Sequence, residues 1–305
     1  MIQHFRFGSP IRTDSVVQDI PVSSDAVPFL TADADGWVYT MVPDAIVYGL
    51  GEMPRGINKR GWHYVANNTD ESHHGENKVS YYGAHNFLLI DGGPGGDLFG
   101  VFVDFPGKVH YDIGYTVHDT LRFATEEPDY ELYILTGADL NDIAHQFRQL
   151  IGRSYIPPKW AFGLQQSRWG YKTAEDVREV ARQYKENDLP LDMICMDIDY
   201  MQDYADFTIN KERFPDLAAL AAELKAQGIR LVPIIDAGVR IDPEEPTCTE
   251  GLEKGYFCKK EDGTPFVAAV WPGKAYFADF LRPEVRAWFG HRYKVLTDCG
   301  IEGFW

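Results

Sequence analysis

The sequence lacks any long apolar run, and no segment approaches the roughly 18 apolar residues of a membrane-spanning helix. The first ten residues, MIQHFRFGSP, contain no apolar stretch of the kind found in a secretory signal peptide. Basic residues are few: 29 Lys and Arg stand against 46 Asp and Glu, which gives a formal net charge of −17. Because so acidic a surface repels phosphate groups, we expect neither a nucleic-acid nor a membrane partner.

Cysteine is also scarce, and the four cysteines form no Cys-x-x-Cys pair. Cys195 and Cys299 stand apart, whereas Cys248 and Cys258 share one loop and offer the only plausible bridge, which we regard as the weaker alternative. The cysteine pattern therefore predicts reduced thiols and a cytoplasmic location. No strand is followed by a glycine-rich phosphate loop, which argues against a nucleotide-binding protein.

The first half of the chain alternates between short β-branched or aromatic runs and turn residues. Spacing of this kind is typical of a β-sandwich. After these runs, Asp139 has the position of a helix cap, and apolar residues from Leu140 to Leu150 recur on one helical face. We therefore predict an all-β domain over residues 1–152. The predicted strands are Gly36–Val42, Asn86–Ile90, Leu98–Phe105, Lys108–Tyr115 and Tyr130–Gly137.

The pattern changes after the tandem prolines Pro157 and Pro158, which favour an extended linker. Strands and helices now alternate, as in parallel βαβ units. Such units build either a (β/α)8 TIM-type barrel or an open doubly wound sheet. The strands are predicted at Trp160–Arg168, Met193–Asp199, Arg230–Asp236 and Ile301–Trp305, with a loop-rich insertion after the third strand and a helix over Pro283–Thr297.

Only four βα units are present between residues 153 and 305, whereas a closed barrel needs about eight. A sheet that stopped there would leave two long parallel edges exposed. We therefore expect this chain to be the first part of a longer polypeptide, with residues 153–305 forming the first half of a barrel domain.

Acidic and indole side chains occur where the predicted parallel strands end. In such folds the ligand lies at the carboxyl ends of the strands. Those positions carry Trp169, Asp197, Asp199, Asp236 and Trp305. Carboxylates accept hydrogen bonds from sugar hydroxyls and tryptophan faces cover pyranose rings, so a sugar site is one interpretation.

Other interpretations of these acids stay open at this point. Asp199 is equally well explained as a partner of a nearby arginine, and Asp236 as a turn residue. The Asp-Ile-Asp sequence also resembles the metal-binding motif of a glycosyltransferase, although the nucleotide site that such an enzyme needs is not evident. His63 and the pair His73–His74 lie among polar residues, which favours a solvated loop over a metal site.

Several longer motifs resemble glycoside hydrolase family 31 and its α-glucosidases, over nearly the whole chain. The most specific is MDIDYMQDYADFTINKERFPD (residues 196–216), which is similar to the family's segment on the second barrel strand. IPPKWAFGLQQSRWGY, LVPIIDAGV and VWPGKAYFADFLRPEVRAWF resemble its first strand, third strand and Trp-Pro-Gly segment. YGLGEMPRGINKRG and NNTDE resemble segments of its N-terminal β-sandwich domain.

The resemblance implies retaining hydrolysis of terminal non-reducing α-linked glucose, without a metal or other cofactor. The family's nucleophile lies in a Trp-x-Asp-Met-Asn-Glu motif whose Trp matches Trp305, and its general acid lies further on. The resemblance thus places no catalytic residue within residues 1–305 and implies that this fragment alone is inactive. We assign a sugar-binding set to Asp70, Trp169, Asp197, Ile198, Ile235, Asp236, Trp271 and Trp305.

Within this set the resemblance implies that Asp197 and Asp70 bind sugar hydroxyls and that Trp169 faces the leaving-group side. The sequence departs from the family by Trp169, where Tyr is common, and by Ala237, where Pro is frequent, which leaves the linkage preference open. The segment that contains Ile198 looks like the version found in the family's glucosidases, and this resemblance favours glucose over xylose. The alternatives are a family α-xylosidase and a non-catalytic oligosaccharide-binding homologue. The sequence leaves homo-oligomer formation open.

Overall fold

A computed structural model describes residues 1–305, which divide into two compact units, Met1–Tyr155 and Ile156–Trp305. No helix in it has the length and apolarity needed to cross a bilayer. The first unit contains the strands β1 (Ile2–Phe7), β2 (Thr31–Asp33), β3 (Gly36–Thr40), β4 (Ile46–Gly51), β5 (Trp62–Ala66), β6 (Ala84–Asp91), β7 (Leu98–Asp104), β8 (Val109–Ile113), β9 (Thr120–Thr125) and β10 (Tyr130–Thr136), and the helix α1 (Leu140–Leu150).

These strands form two five-stranded antiparallel sheets, in the orders β1-β10-β7-β6-β4 and β2-β3-β9-β8-β5. Leu88 and Phe99 of the first sheet and Tyr111 and Phe123 of the second join one buried cluster between the sheets. The burial of apolar side chains from both sheets in a common core makes this unit a β-sandwich.

The helix α1 covers the outer face of the first sheet. Asp139 begins it by accepting a hydrogen bond from the Asp142 backbone N–H at 2.8 Å. Ile143 and Leu150 are fully buried against the sheet. The helix approaches β7 so closely that a Cβ on Gly100 would lie 2.9 Å from Ile143 Cγ2. Glycine at position 100 therefore permits this packing.

The second unit is built on a parallel sheet of three strands in the order β11-β12-β13. Alternate side chains of β12 reach opposite faces: Ile194 and Met196 pack in the cluster that includes helices α2 and α3, and Met193 and Cys195 pack beneath Trp160. Burial on both faces explains the continuous apolar sequence of this strand. The elements are β11 (Gln165–Arg168), α2 (Ala174–Glu186), β12 (Met193–Met196), α3 (Leu217–Ala226) and β13 (Arg230–Pro233).

The region after β13 corrects two predictions. Instead of a loop-rich insertion, the chain forms β14 (Gly238–Arg240), α4 (Pro246–Glu253), β15 (Val267–Val270) and β16 (Gly273–Phe277). The three strands pair antiparallel in the order β14-β16-β15. The helix predicted over Pro283–Thr297 is two helices, α5 (Pro283–Arg292) and α6 (Lys294–Thr297), which meet at Tyr293. The ring of Tyr293 packs against Phe207, Phe289 and Phe304, which holds the chain at this break.

The four strands predicted in the second unit also differ from the structure: β12 ends at Met196 and β13 at Pro233, each three residues early, and the other two differ more. Lys159–Phe162 forms a turn of 3-10 helix that follows Pro158, and the strand begins only at Gln165. Ile301–Trp305 has no strand assignment. Its last residue nevertheless pairs with β13 and the residues after it, since Trp305 N–H donates to Pro233 O at 3.1 Å and Ile235 N–H to Trp305 O at 2.9 Å. Two hydrogen bonds begin a parallel ladder without completing a strand.

Candidate sugar-binding site

The carboxyl ends of the parallel strands bring several of the predicted site residues to one edge. The register pairs Arg168 with Met196 and Met196 with Pro233. The next residue after each strand therefore lies along the same edge, which places Trp169 beside Asp197 and both near the chain that follows Pro233. The hydrogen bonds between Ile235 and Trp305 extend this row by one more residue.

Asp197 is held in place by the turn that follows its strand. Its carboxylate accepts a hydrogen bond from the backbone N–H of Ile198 at 2.7 Å and caps one turn of 3-10 helix, Ile198–Tyr200. Ile198 itself is 5% exposed and packs in the core, whereas Asp197 is half-buried. The packed turn therefore fixes an acidic side chain that still reaches solvent.

Asp236 lies close enough to Asp197 to be influenced by its charge. The pKa of Asp236 is raised, first by burial and then by the negative charge of Asp197. Its neighbour Ile235 is half-buried and joined to Trp305 through the backbone. The edge of the sheet thus holds two interacting carboxylates next to an indole-bearing residue.

The three tryptophans of the predicted set are unusually exposed. Trp169, Trp271 and Trp305 are 66%, 70% and 53% exposed, although large aromatic side chains are normally well buried. Trp271 lies in the turn between β15 and β16, directly after Val270. A Cβ on Gly238 would lie 2.5 Å from Val270 Cγ2, so this turn is close to the chain two residues beyond Asp236. Exposed indole faces beside acids are suited to binding a polar ring.

The remaining candidate residues either have a structural role or lie in the first unit. Asp199 is 3% exposed, and its Oδ1 lies 3.9 Å from Arg213 Nη1, which agrees with the ion-pair interpretation of this residue. Asp70 lies in the first unit, between β5 and β6, where it is exposed and accepts a hydrogen bond from the Tyr82 hydroxyl at 3.0 Å. His73 is exposed and its ring bonds to Ser72 at 2.9 Å, as in a solvated loop.

Sequence reasoning did not single out Asp206, which the structure places directly behind Asp236. Asp206 is 3% exposed, and its Oδ1 accepts a hydrogen bond from the backbone N–H of Asp236 at 3.0 Å. Burial, followed by the charge of Asp236, raises the pKa of Asp206 to about 8. The available signal was its position between the apolar residues Ala205 and Phe207.

The arrangement offers hydrogen-bond acceptors and flat apolar surfaces. Ionised carboxylates accept hydrogen bonds from hydroxyl groups, and indole rings cover the apolar faces of a sugar. Carboxylates that accept hydrogen bonds from hydroxyls orient a sugar, whereas cleavage needs an attacking group and an acid on either side of the scissile bond. The described residues therefore suit recognition of a sugar ring.

Comparison with known proteins assigns both units to one family. The family profile described as "Glycosyl hydrolases family 31 TIM-barrel domain" matches residues 154–305. The profile described as "Glycosyl hydrolase 31 N-terminal galactose mutarotase-like domain" matches residues 22–112. The chain belongs to glycoside hydrolase family 31. This confirms the resemblance noted in its motifs, and it confirms a β-sandwich followed by part of a barrel over the open doubly wound sheet.

The relatives include enzymes named for different substrates. The chain is 40% identical to Alpha-glucosidase 2 of Bacillus thermoamyloliquefaciens over 260 residues, which cover 85% of this chain and 32% of that protein. It is 31% identical to Alpha-xylosidase 1 of Arabidopsis thaliana over 277 residues, 88% of this chain and 30% of that protein. The chain thus spans about a third of the length of these relatives.

A solved structure agrees with the fold. The family 31 dextranase of Flavobacterium johnsoniae, complexed with isomaltotriose, superposes with a TM-score of 0.80 at 25% identity. The superposition covers 92% of this chain and 34% of the dextranase chain.

Proposed function

We propose that the protein is a retaining α-glucosidase that removes terminal non-reducing α-linked glucose from oligosaccharides, and that residues 1–305 supply much of its sugar-binding surface. The observation that carries the proposal is the interaction of the Asp197 and Asp236 carboxylates at the carboxyl ends of adjacent barrel strands. Family membership and the 40% identity to an enzyme named as an α-glucosidase support the choice of substrate.

The proposed roles follow from the chemistry of each side chain. Asp197 accepts hydrogen bonds from hydroxyls of the non-reducing glucose, and Asp236, held beside it, accepts from the same ring. Ile235, Trp271 and Trp305 wall this ring, and the buried Ile198 fixes the turn that carries Asp197. Trp169 faces the leaving-group side. Asp197 and Asp236 therefore orient the sugar and do not break its bond.

The bond-breaking carboxylates are proposed to lie after Trp305. In a double displacement, one aspartate attacks the anomeric carbon while a second protonates the departing glycosidic oxygen. The resulting glycosyl-enzyme ester is then hydrolysed by water, which gives its proton to the second aspartate. The configuration at the anomeric carbon is retained because it is inverted twice.

Hydrolysis assays with the full-length protein test the substrate. We expect the full-length protein to release the phenol from an aryl α-glucoside at least tenfold faster than from the matching aryl α-xyloside. The reason is that the segment containing Ile198 accommodates the exocyclic CH2OH of glucose. The reverse ranking would favour an α-xylosidase. Sugar binding without hydrolysis would favour a non-catalytic homologue, and activity only with Mn2+ and a nucleotide sugar would favour a glycosyltransferase.

Replacing Asp197 tests the division between binding and bond breaking. We expect Asp197→Ala to lower kcat/KM for the aryl α-glucoside roughly 10- to 100-fold, the equivalent of losing about one hydrogen bond to a charged group. A mechanism-based glycosyl label should still attach, at a residue other than Asp197. Asp262→Asn, which changes an exposed turn aspartate of the same unit, is the matched control. A label found on wild-type Asp197 would refute the assignment.

We also propose that the protein acts in the cytoplasm. Its four cysteines are free, and Cys195 and Cys248 are buried as thiols. Fractionation of the native cells, combined with counting of free thiols in the purified protein, tests this. Recovery of the protein outside the cytoplasm would contradict the proposal.

A further inference from the structure

The loop that carries Asp206 has an unusual backbone. Three non-glycine residues adopt left-handed conformations within it: Asp203 (φ 49°), Tyr204 (φ 60°) and Phe207 (φ 62°). Such conformations are unfavourable for bulky side chains and tend to occur where function requires a strained arrangement. The loop is fastened by Thr208, whose hydroxyl accepts a hydrogen bond from Gln202 N–H at 2.9 Å and donates to Ala205 O at 2.5 Å.

The effect of this loop geometry is to bury a carboxyl group behind the sugar-binding edge. Asp206 is 3% exposed; its Oδ1 accepts the Asp236 N–H, and its Oδ2 is buried with no hydrogen-bond partner. An ionised carboxylate with an unpaired buried oxygen would be strongly unfavourable. A neutral carboxylic acid loses far less on burial, so the geometry favours the protonated form.

The groups around Asp206 also favour its protonated form. The charged groups that influence it, Asp236 and Glu245, are both acidic. Tyr200 and Tyr293 also face it, and the charge of Asp206 adds to burial in raising the pKa of each tyrosine. Asp197 acts one step further away, through Asp236. Negative charge on Asp206 would therefore oppose charge on the two acids that face the sugar.

We propose that Asp206 is a positioning residue for the sugar-binding site, which works as a neutral carboxylic acid: it holds the Asp236 backbone and leaves the negative charge of the site to Asp197 and Asp236. This inference rests on the proposed function of that site. It adds a residue behind the binding surface and a condition on its protonation. The raised pKa of Asp206, about 8, agrees with this state at neutral pH.

A pH limit on sugar affinity follows. When the pH rises through about 8, Asp206 ionises and places a third negative charge behind Asp236. The charge disturbs the loop that presents Asp236, and the affinity for glucose falls. Asparagine keeps the acceptor for the Asp236 N–H and the shape of the side chain but does not ionise.

The experiment compares wild-type full-length protein with Asp206→Asn and Asp206→Ala. Glucose affinity is measured by calorimetry from pH 6 to pH 9, with aryl α-glucoside kinetics alongside. We expect the wild-type Kd to rise at least fivefold between pH 7 and pH 9. Asp206→Ala should weaken glucose binding about tenfold at pH 6. Asp206→Asn should bind glucose nearly as tightly as wild type at pH 6, and its Kd should not rise at alkaline pH. Thermal unfolding at pH 6 verifies that each variant is folded.

Infrared spectroscopy reads the protonation state of Asp206 directly. The wild-type spectrum minus that of Asp206→Asn should show the carbonyl stretch of a protonated carboxylic acid at pH 6, replaced by carboxylate bands at pH 9. Carboxylate bands at pH 6, or an alkaline rise in Kd that persists in Asp206→Asn, would overturn the inference. If the protein neither binds glucose nor cleaves α-glucosides, the proposed function fails, and the infrared titration still decides whether Asp206 is neutral.

Discussion

The Asp206→Asn substitution should change how the stability of the barrel unit depends on pH. Burial, followed by the charge of Asp236, raises the pKa of Asp206 from 3.8 to about 8 in the folded protein. Between these two values the folded state holds one more proton on this side chain than the unfolded chain does. Unfolding therefore releases a proton, and the free energy of unfolding decreases as the pH rises.

The size of the effect follows from the burial of the group. One bound proton changes the free energy of unfolding by somewhat more than 1 kcal/mol per pH unit, so the contribution of Asp206 should fall by roughly 3 kcal/mol between pH 5 and pH 7. The stabilisation is complete below pH 3.8, falls steadily as the pH rises from there, and is fully lost once the pH has passed through about 8. Asparagine does not titrate. The variant should therefore gain stability relative to wild type by about that amount over the same two pH units.

Urea denaturation of both proteins at pH 5, 6 and 7 measures this difference. Within residues 1–305, five of the seven tryptophans lie in the second unit, so their fluorescence reports more on this unit than on the first. Asp262→Asn is the control: hydrogen bonds from Thr264 lower the pKa of Asp262, so this residue stays ionised from pH 5 to pH 7 and adds no slope. If wild type and Asp206→Asn lose stability in parallel, Asp206 is ionised in the folded protein and the reasoning is wrong.

Three further substitutions test packing, capping and binding in the full-length protein. Gly100→Ala should destabilise the β-sandwich by about 1–3 kcal/mol, because the added Cβ would meet Ile143. Gly290→Ala, whose added Cβ would have no atom within 4 Å, is the control. Equal denaturation midpoints for wild type and Gly100→Ala would contradict this packing. Thr173→Ala should cost about 1 kcal/mol in urea denaturation through loss of its capping box; no change would show that the cap is dispensable. Trp271→Ala should weaken glucose binding about threefold to tenfold in calorimetry, while an unchanged Kd would remove this indole from the site.

Local chemistry made several features predictable from sequence. Thr173 and Asp176 have the spacing of a capping box, and both of its hydrogen bonds are present in the structure. Asp139 caps α1 as its position suggested. The edge carrying Asp197 and Asp236 was predictable because parallel strands direct their carboxyl ends to one side of a sheet. Each of these inferences depends on residues close together in sequence or on a general rule of topology.

Other features depend on tertiary contacts that a sequence pattern does not contain. Asp206 is buried by a loop that contains left-handed residues. It accepts a hydrogen bond from the backbone N–H of Asp236, which is 30 residues away in sequence. Ile301–Trp305 has the composition of a strand, but its ladder with β13 and the adjoining residues has only two hydrogen bonds. The three-stranded sheet of β14, β15 and β16 forms from short segments whose pairing becomes apparent only in the fold.

A crystal structure of the full-length protein with glucose bound is the most direct test. It shows whether Asp197, Asp236 and the neighbouring indoles bind the sugar together. We predict hydroxyl oxygens of the ring about 3 Å from the Asp197 and Asp236 carboxylates, with the indoles of Trp271 and Trp305 against the ring. Glucose bound elsewhere, or bound in the barrel without contacting Asp197, would contradict the account.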